Sequence, residues 1–130
     1  MEFAKIKEVC LYVQELARTR AFYEGQLGLP VIGLVEGRHI FFRAGSSVLL
    51  CFLPQASREP GQLPPHFGKG QLHLAFETSR QDYEGWKAKI TGAGIAVEQT
   101  FDWGRGFESF YFRDPDGHLL EVVMTGMWEK

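Results

Sequence analysis

An internal repeat constrains the fold of this chain more than any other feature of its sequence. The aromatic segment 41–43, followed by the apolar segment 48–50, has a counterpart in segments 111–113 and 119–121. A Tyr-Glu-Gly tripeptide also occurs twice, at 23–25 and at 83–85. A repeat of roughly 65 to 70 residues predicts two similar structural units.

Each copy predicts the same order of elements, which is a strand, a helix and three further strands. In the first copy we expect a strand at 9–13, a helix at 16–27 and strands at 31–35, 39–43 and 48–53. In the second copy we expect a strand at 72–77, a helix ending near residue 91 and strands at 95–99, 109–113 and 119–123. One helix covers only one face of such a sheet, so the other face has to find a second sheet.

The segment between the copies has a different composition. Residues 54–70 contain four of the six prolines and glycines at positions 61, 68 and 70. This composition predicts a connector without regular structure. The expected organisation is a single domain over residues 1–130, with unit one at about 6–53, the connector at 54–70 and unit two at about 71–125.

Composition and charge exclude several classes of protein. A chain of 130 residues with 45% hydrophobic residues can bury a core of its own. A net charge of −2 and the lack of a basic run argue against nucleic acid or a membrane surface as partner. The first residues lack the apolar stretch of a signal peptide, so we expect a cytoplasmic protein.

The closing hairpin contains a carboxylate that needs an explanation. Glu121 stands in the middle of the apolar strand 119–123, which follows the turn 114–117. If that strand is covered, the carboxylate must be paired, protonated or bound to a metal. If the strand lies at a wet edge, Glu121 is simply solvated.

The hairpin also resembles a known family. Residues 112–121, Phe-Arg-Asp-Pro-Asp-Gly-His-Leu-Leu-Glu, are similar to the closing hairpin of the vicinal oxygen chelate superfamily, and residues 11–29 resemble its first strand and helix. That superfamily includes glyoxalase I, extradiol dioxygenases, fosfomycin-modifying enzymes and bleomycin resistance proteins. The resemblance implies an α+β fold in which two βαβββ units form an open, barrel-like cleft around the site. It leaves the reaction open, because the family hosts many chemistries.

The resemblance also implies four ligand positions for a metal, which are occupied here by Glu8, Leu50, His73 and Glu121. Three of these residues can bind a metal, namely Glu8, His73 and Glu121, and this set suits Mn²⁺, Fe²⁺, Zn²⁺ or Mg²⁺. Three protein ligands leave positions open for water or substrate. Leu50 departs from the glutamate of glyoxalase I, and Glu8 departs from the usual His or Gln. Taken singly, Glu8 would be a solvated charge and His73 a core or edge histidine.

Further side chains are predicted to line the cleft. Strand parity, together with resemblance to the extradiol enzymes, puts Tyr111 near the metal as an electrophilic or acid–base group, with a packing tyrosine as the alternative. The predicted substrate pocket consists of Cys10, Tyr12, His39, Phe41, Leu50, His66, Trp103 and Arg105. Several of these are equally compatible with loop positions. His118 lies in the hairpin turn and is expected to be exposed.

The two cysteines are predicted to be free thiols. Cys10 shares a strand face with Glu8, whereas Cys51 is one residue away from Leu50 and faces the helix side. Side chains on opposite faces of a sheet cannot form a disulfide. Free thiols are also usual in the cytoplasm.

These observations favour a metal-dependent enzyme that acts as a Lewis acid on a small oxygen-bearing substrate. Lyase, isomerase, transferase and dioxygenase outcomes all stay open. The alternative is a metal-free small-molecule binding protein of the bleomycin-resistance type. The expected partners are a small-molecule ligand and a second copy of the chain in a homodimer.

Overall fold

The computed structural model describes residues 1–129 and divides the chain into two compact units. The first unit covers Met1–Gly70, and the second begins at Gln71. Each unit contains one four-stranded sheet and at least one helix. The predicted α+β fold with two βαβββ units is therefore confirmed.

The first unit contains β1 (Glu8–Tyr12), α1 (Leu16–Arg20), β2 (Val31–Val35), β3 (His39–Ala44), β4 (Ser47–Phe52) and the short helix α2 (Pro54–Ser57). Its strand order is β1-β4-β3-β2, with β1 parallel to β4 and the other pairs antiparallel. The predicted first helix begins where expected but continues from α1 as a π-helical segment, Ala21–Gln26. It stops before Gly28, whose φ of 78° is the left-handed conformation that glycine permits.

The second unit contains β5 (His73–Thr78), α3 (Tyr83–Gly92), β6 (Gln99–Gly104), β7 (Phe107–Arg113) and β8 (Leu119–Met124). Its strand order, β5-β8-β7-β6, repeats that of the first unit. β5 is parallel to β8, and the remaining pairs are antiparallel. Among the described residues no helix is both long and apolar enough to span a membrane.

The strand registers of the two units are equivalent residue by residue. Phe41 pairs with Leu50 in the first unit, as Tyr111 pairs with Glu121 in the second. The parallel pairs also correspond, because Glu8 lies opposite Val48 and His73 lies opposite Leu119. The repeat seen in the sequence is therefore a repeat of sheet register.

Each unit has a dry core on the helix-facing side of its sheet. In the first unit the buried side chains include those of Leu11, Ile40, Phe42, Leu49 and Cys51. In the second they include those of Ile90, Phe110, Phe112, Leu120 and Val122. The tyrosine of each Tyr-Glu-Gly tripeptide packs on a strand phenylalanine, and both ring pairs have centroids 5.4 Å apart. Burial of one such large side chain contributes about 1.5–3 kcal/mol.

Three local predictions were wrong. The connector is not wholly irregular, because Pro54 starts the helix α2, where its missing N–H and fixed φ are tolerated. Residues 95–98 are not a strand, and β6 begins only at Gln99. Residues 102–104, which lie between the predicted strands 95–99 and 109–113, belong to β6, and the turn itself falls at Arg105 and Gly106, both with positive φ.

Candidate metal centre

Glu121 is a buried carboxylate on an inner strand. β8 lies between β5 and β7, and Glu121 is only 6% exposed. Ala75 and Tyr111 are its neighbours on the two flanking strands. The wet-edge interpretation of Glu121 is therefore wrong, and the carboxylate needs a partner within the protein.

The partner in this unit is His73, at the start of the edge strand β5. Its Nε2 lies 3.2 Å from Oε1 of Glu121, and its Nδ1 lies 2.8 Å from the carbonyl oxygen of Leu119. Because a carbonyl can only accept, Nδ1 must carry the proton and donate it. In the neutral imidazole, Nε2 therefore directs a lone pair at a carboxylate oxygen.

This geometry fits a cation. Two acceptor atoms that face each other at this distance need a positive charge on or between them, either a proton on Nε2 or a metal ion. A histidine whose other ring nitrogen donates to a backbone carbonyl is the usual arrangement of a metal ligand, because it fixes the tautomer and the ring orientation. His73 and Glu121 could thus hold a metal ion through one nitrogen and one oxygen atom, and their role as ligands stays a prediction.

Tyr111 is placed beside this pair. Its ring centroid lies 6.3 Å from that of His73, and its backbone pairs with Glu121. Burial raises the pKa of Tyr111, and the Glu121 carboxylate adds to that rise, while a hydrogen bond with Ser109 opposes it. The phenol is therefore a protonated donor at neutral pH.

Glu8 occupies in the first unit the position that His73 occupies in the second. It is exposed at the start of β1, and its negative charge, after the larger effect of burial, helps to raise the pKa of the Cys10 thiol. Within residues 1–129, neither unit contains a group of three His, Cys, Asp or Glu side chains that could hold a metal ion. The assignment of Glu8 as the third ligand stays a prediction.

The same face of the first unit holds a cluster of rings instead of ligands. His39 and Phe41 stack with centroids 4.0 Å apart and planes 8° from parallel. Phe52 meets the His39, Phe41 and His66 rings edge-on, and the Tyr12 hydroxyl lies 2.8 Å from Nδ1 of His66. We call these five residues, Tyr12, His39, Phe41, Phe52 and His66, the ring cluster. Phe52 was missed in the sequence, although its strand parity with Leu50 would have found it.

The environment of His39 in the ring cluster affects both its pKa and the hydrogen bonding of its ring. Burial lowers its pKa, and the neighbouring Arg38 charge lowers it further, so the imidazole is neutral at pH 7. Its Nδ1 is buried without a hydrogen-bond partner in the structure. Cys10 and Leu50 lie on adjacent positions of β1 and β4 on this face.

The two pocket residues predicted in the second unit lie near its edge strand β6. Trp103 is 45% exposed, and its Nε1 donates a hydrogen bond to Ser109 Oγ at 2.9 Å. The Arg105 guanidinium lies over the Phe107 ring at 5.2 Å. Their assignment to a substrate pocket stays a prediction, as it does for the residues of the first unit.

The prediction that the His118 side chain is exposed was wrong. This residue is 1% exposed, because its backbone N–H is held by Asp114 Oδ1 at 2.9 Å and its ring turns inward. Sequence position placed His118 beside the turn correctly but gave no signal for the direction of its side chain. Neither cysteine forms a disulfide, as predicted, and Cys51 is fully buried.

Comparison with known proteins settles the family. The family model described as the Glyoxalase/Bleomycin resistance protein/Dioxygenase superfamily matches residues 5–122. The chain belongs to this superfamily. It is similar over 121 residues, at 28% identity, to the glutathione transferase FosA of Serratia marcescens, with 90% of this chain and 78% of that protein covered.

Two further known proteins show a similar level of sequence identity to this chain. The metallothiol transferase FosB of Staphylococcus epidermidis is 30% identical over 120 residues, with 90% of this chain and 81% of that protein covered. The crystal structure of lactoylglutathione lyase from Agrobacterium tumefaciens superimposes with a TM-score of 0.94, at 31% identity and with all of both chains covered. Two transferases and a lyase among the relatives support a metal-dependent enzyme at family level.

Proposed function

We propose that this protein is a metal-dependent enzyme of the superfamily, in which His73 and Glu121 bind a divalent cation and Glu8 completes the ligand set. The observation that supports this best is the distance of 3.2 Å between Nε2 of His73 and Oε1 of Glu121, with the opposite ring nitrogen anchored on the Leu119 carbonyl. A nitrogen and two carboxylate ligands suit Mn²⁺, Fe²⁺ or Zn²⁺, and also Mg²⁺ if water fills the remaining positions.

The bound ion would act as a Lewis acid on neighbouring oxygens of a small substrate. The protein's own residues supply the rest of the chemistry. The Tyr111 hydroxyl, kept protonated by burial and by Glu121, donates a hydrogen bond or a proton to a substrate oxygen. Glu121 holds the His73 ring on one side, and the Leu119 carbonyl holds it on the other.

The reaction class we favour is group transfer or lyase chemistry with a thiol-bearing substrate or co-substrate. The relatives support this, since two are transferases named for glutathione or a metallothiol and the third is a lactoylglutathione lyase. Ring-cleaving dioxygenase chemistry ranks lower, because two histidines and one carboxylate are its usual ligands and this chain has the reverse ratio.

The ring cluster is the proposed face for the apolar part of the substrate. Its stacked and edge-on rings, together with Cys10 and Leu50, offer contact surface and a neutral imidazole for one polar contact. Trp103 and Arg105 would add contacts from the second unit. The same face supports the second candidate function, a binding protein that holds an aromatic or cationic ligand without a metal.

We further propose a homodimer that works in the cytoplasm. Large apolar side chains are exposed on the edge strands β2 and β6, among them Ile32, Leu34, Val35, Phe101 and Trp103. A second copy of the chain would cover such a surface. Two cysteines that form no disulfide fit a reducing compartment.

A calorimetric titration with Zn²⁺ tests the metal centre. Wild-type protein should bind one ion per chain, and Glu121→Gln, which keeps the side-chain shape but loses the charge, should bind at least about tenfold more weakly. Glu77→Gln is the matched control, because Glu77 is an exposed carboxylate on the same strand as His73. Folded wild-type protein that takes up no Zn²⁺, Mn²⁺ or Fe²⁺ would favour the metal-free binding protein.

A further inference from the structure

We propose that His118 is a positioning residue for His73: its buried imidazole fixes the start of β5 and thereby sets where the metal-binding ring stands. This rests on the proposed metal centre, although the contacts that carry it are independent of a metal. His118 is not a metal ligand in this proposal. It acts through the backbone of Leu72, the residue before His73.

Three hydrogen bonds bracket the dipeptide formed by Leu72 and His73. The Leu72 N–H donates to Nδ1 of His118 at 2.9 Å, and the Leu119 N–H donates to the Leu72 carbonyl at 2.8 Å. The His73 ring then donates to the Leu119 carbonyl. The dipeptide is thus fixed at its N–H, its carbonyl and its side chain, all by residues 118 and 119.

The His118 imidazole accepts the hydrogen bond that the Gly117 carbonyl would accept in a regular parallel ladder. His73 lies opposite Leu119 in a parallel register, so Leu72 lies opposite His118 and its N–H would donate to the carbonyl of Gly117. Gly117 instead adopts a positive φ of 83°, and its carbonyl accepts a hydrogen bond from Arg113 Nη1 at 2.9 Å. Without the His118 ring, the Leu72 N–H would have no acceptor from β8.

His118 is itself held rigidly. Asp114, which is 5% exposed, accepts from the His118 N–H through Oδ1 and donates its own N–H to the His118 carbonyl at 3.1 Å. Because Nδ1 accepts from Leu72, the neutral ring must carry its proton on Nε2. The position and the tautomer of the ring are therefore both defined.

The first unit provides an internal comparison. There the Val48 N–H donates to the Lys7 carbonyl at 2.9 Å, just as Leu119 donates to Leu72. The position equivalent to His118 is Ser47, and the position equivalent to Glu121 is Leu50. The unit that has leucine at the position of Glu121 also has serine at the position of His118, as expected if the imidazole serves the metal site rather than the fold.

Zn²⁺ titration of two variants tests the role. His118→Leu fills a similar volume without an acceptor and should weaken Zn²⁺ binding at least about tenfold, the usual effect of losing an outer-shell partner. His118→Asn can place Oδ1 where Nδ1 stood and should restore most of the affinity. Ile90→Val, a buried position on α3, controls for general loss of stability.

Equal Zn²⁺ affinity of His118→Leu and wild type would overturn the proposal, as would an equal loss in Ile90→Val or a failure of His118→Asn to restore binding. Nitrogen-15 NMR of the wild-type histidines decides the matter if His118→Leu does not fold. It should show protonated Nδ1 in His73 and unprotonated Nδ1 in His118, and the opposite tautomer of His118 would refute the role. Wild-type protein that binds none of Zn²⁺, Mn²⁺ and Fe²⁺ would refute the metal centre, while the tautomer would still test the positioning contact.

Discussion

Glu108 links two side chains of α3 to β7. It accepts hydrogen bonds from the Tyr83 hydroxyl and the Lys87 ammonium, both at 2.8 Å. The Lys87 contact lowers the pKa of Glu108 below its ordinary 4.5, and the Tyr83 contact adds to this, whereas partial burial opposes it. The pKa of Tyr83 is raised, first by burial and then by Glu108.

Glu108→Gln should lower the free energy of unfolding at pH 7 by about 1–2 kcal/mol, a charged hydrogen bond reduced by solvent screening. The folded pKa lies below the unfolded one, so this stability is fully present above the unfolded pKa and is lost as pH falls through the folded pKa. Urea unfolding at a series of pH values measures both effects. The control Glu98→Gln removes the exposed pair with Arg113 and should cost about 0–1 kcal/mol. Equal losses, or a Glu108→Gln effect that does not shrink on acidification, would contradict this assignment.

At the scale of single residues, the sequence indicates that a buried polar side chain needs a partner more readily than it indicates which residue provides that partner. A carboxylate within an apolar strand required a partner, and His73 meets that requirement for Glu121. His118 could not be predicted in the same way. The turn at 114–117 was predicted, but the inward orientation of His118 depends on the hydrogen bond from its N–H to Asp114 Oδ1 and on the Gly117 carbonyl accepting from Arg113, and neither contact follows from residue type or spacing.

At the scale of elements, a period of two predicted most of the strands, because strands such as β3 and β5 alternate between more buried and less buried positions. β6 was misplaced for a physical reason. All six of its residues are exposed, so it has no burial pattern to follow. α2 was missed because proline was interpreted only as a breaker, although it is also favoured at the first position of a helix.

The connector is predicted to tolerate side chains at one glycine and not at another. A Cβ at Gly68 would lie 2.5 and 2.8 Å from the Tyr12 ring, which is held by His66, whereas a Cβ at Gly61 would meet nothing within 4 Å. Gly68→Ala should therefore destabilise the protein by about 1–3 kcal/mol by overpacking. Gly61→Ala should be neutral or stabilising by up to about 1 kcal/mol. Equal unfolding midpoints for the two variants in urea would show that Tyr12 is not fixed by the connector.

At the scale of the whole molecule, the two units share a topology and differ in chemistry. The register that places Leu50 and Phe41 in one unit places Glu121 and Tyr111 in the other. The repeat was visible in the sequence because it preserves the core, whereas the ligand set was inferred by resemblance. Substrate identity does not follow from either, since family members use one fold for many reactions.

The proposed homodimer can be tested by measuring the molecular mass of the protein in solution. Light scattering at micromolar concentration should give twice the chain mass of 14.8 kDa. If Glu8 of one copy meets His73 and Glu121 of the other, a refolded mixture of Glu8→Ala and His73→Ala should regain one intact Zn²⁺ site in each mixed dimer. Each variant refolded alone is the control and should have none. A monomeric mass would exclude the dimer, and a mixture without recovered sites would place each site within one chain.

The position of a metal at His73 and Glu121 can be observed directly by anomalous diffraction at the zinc edge from Zn²⁺-loaded crystals. We expect an anomalous peak at about 2.0–2.2 Å from both Nε2 of His73 and a carboxylate oxygen of Glu121, with Nδ1 still bonded to the Leu119 carbonyl. A loaded crystal with no peak at this position, and with Nε2 still 3.2 Å from Oε1 in a direct contact, would contradict the proposed metal centre.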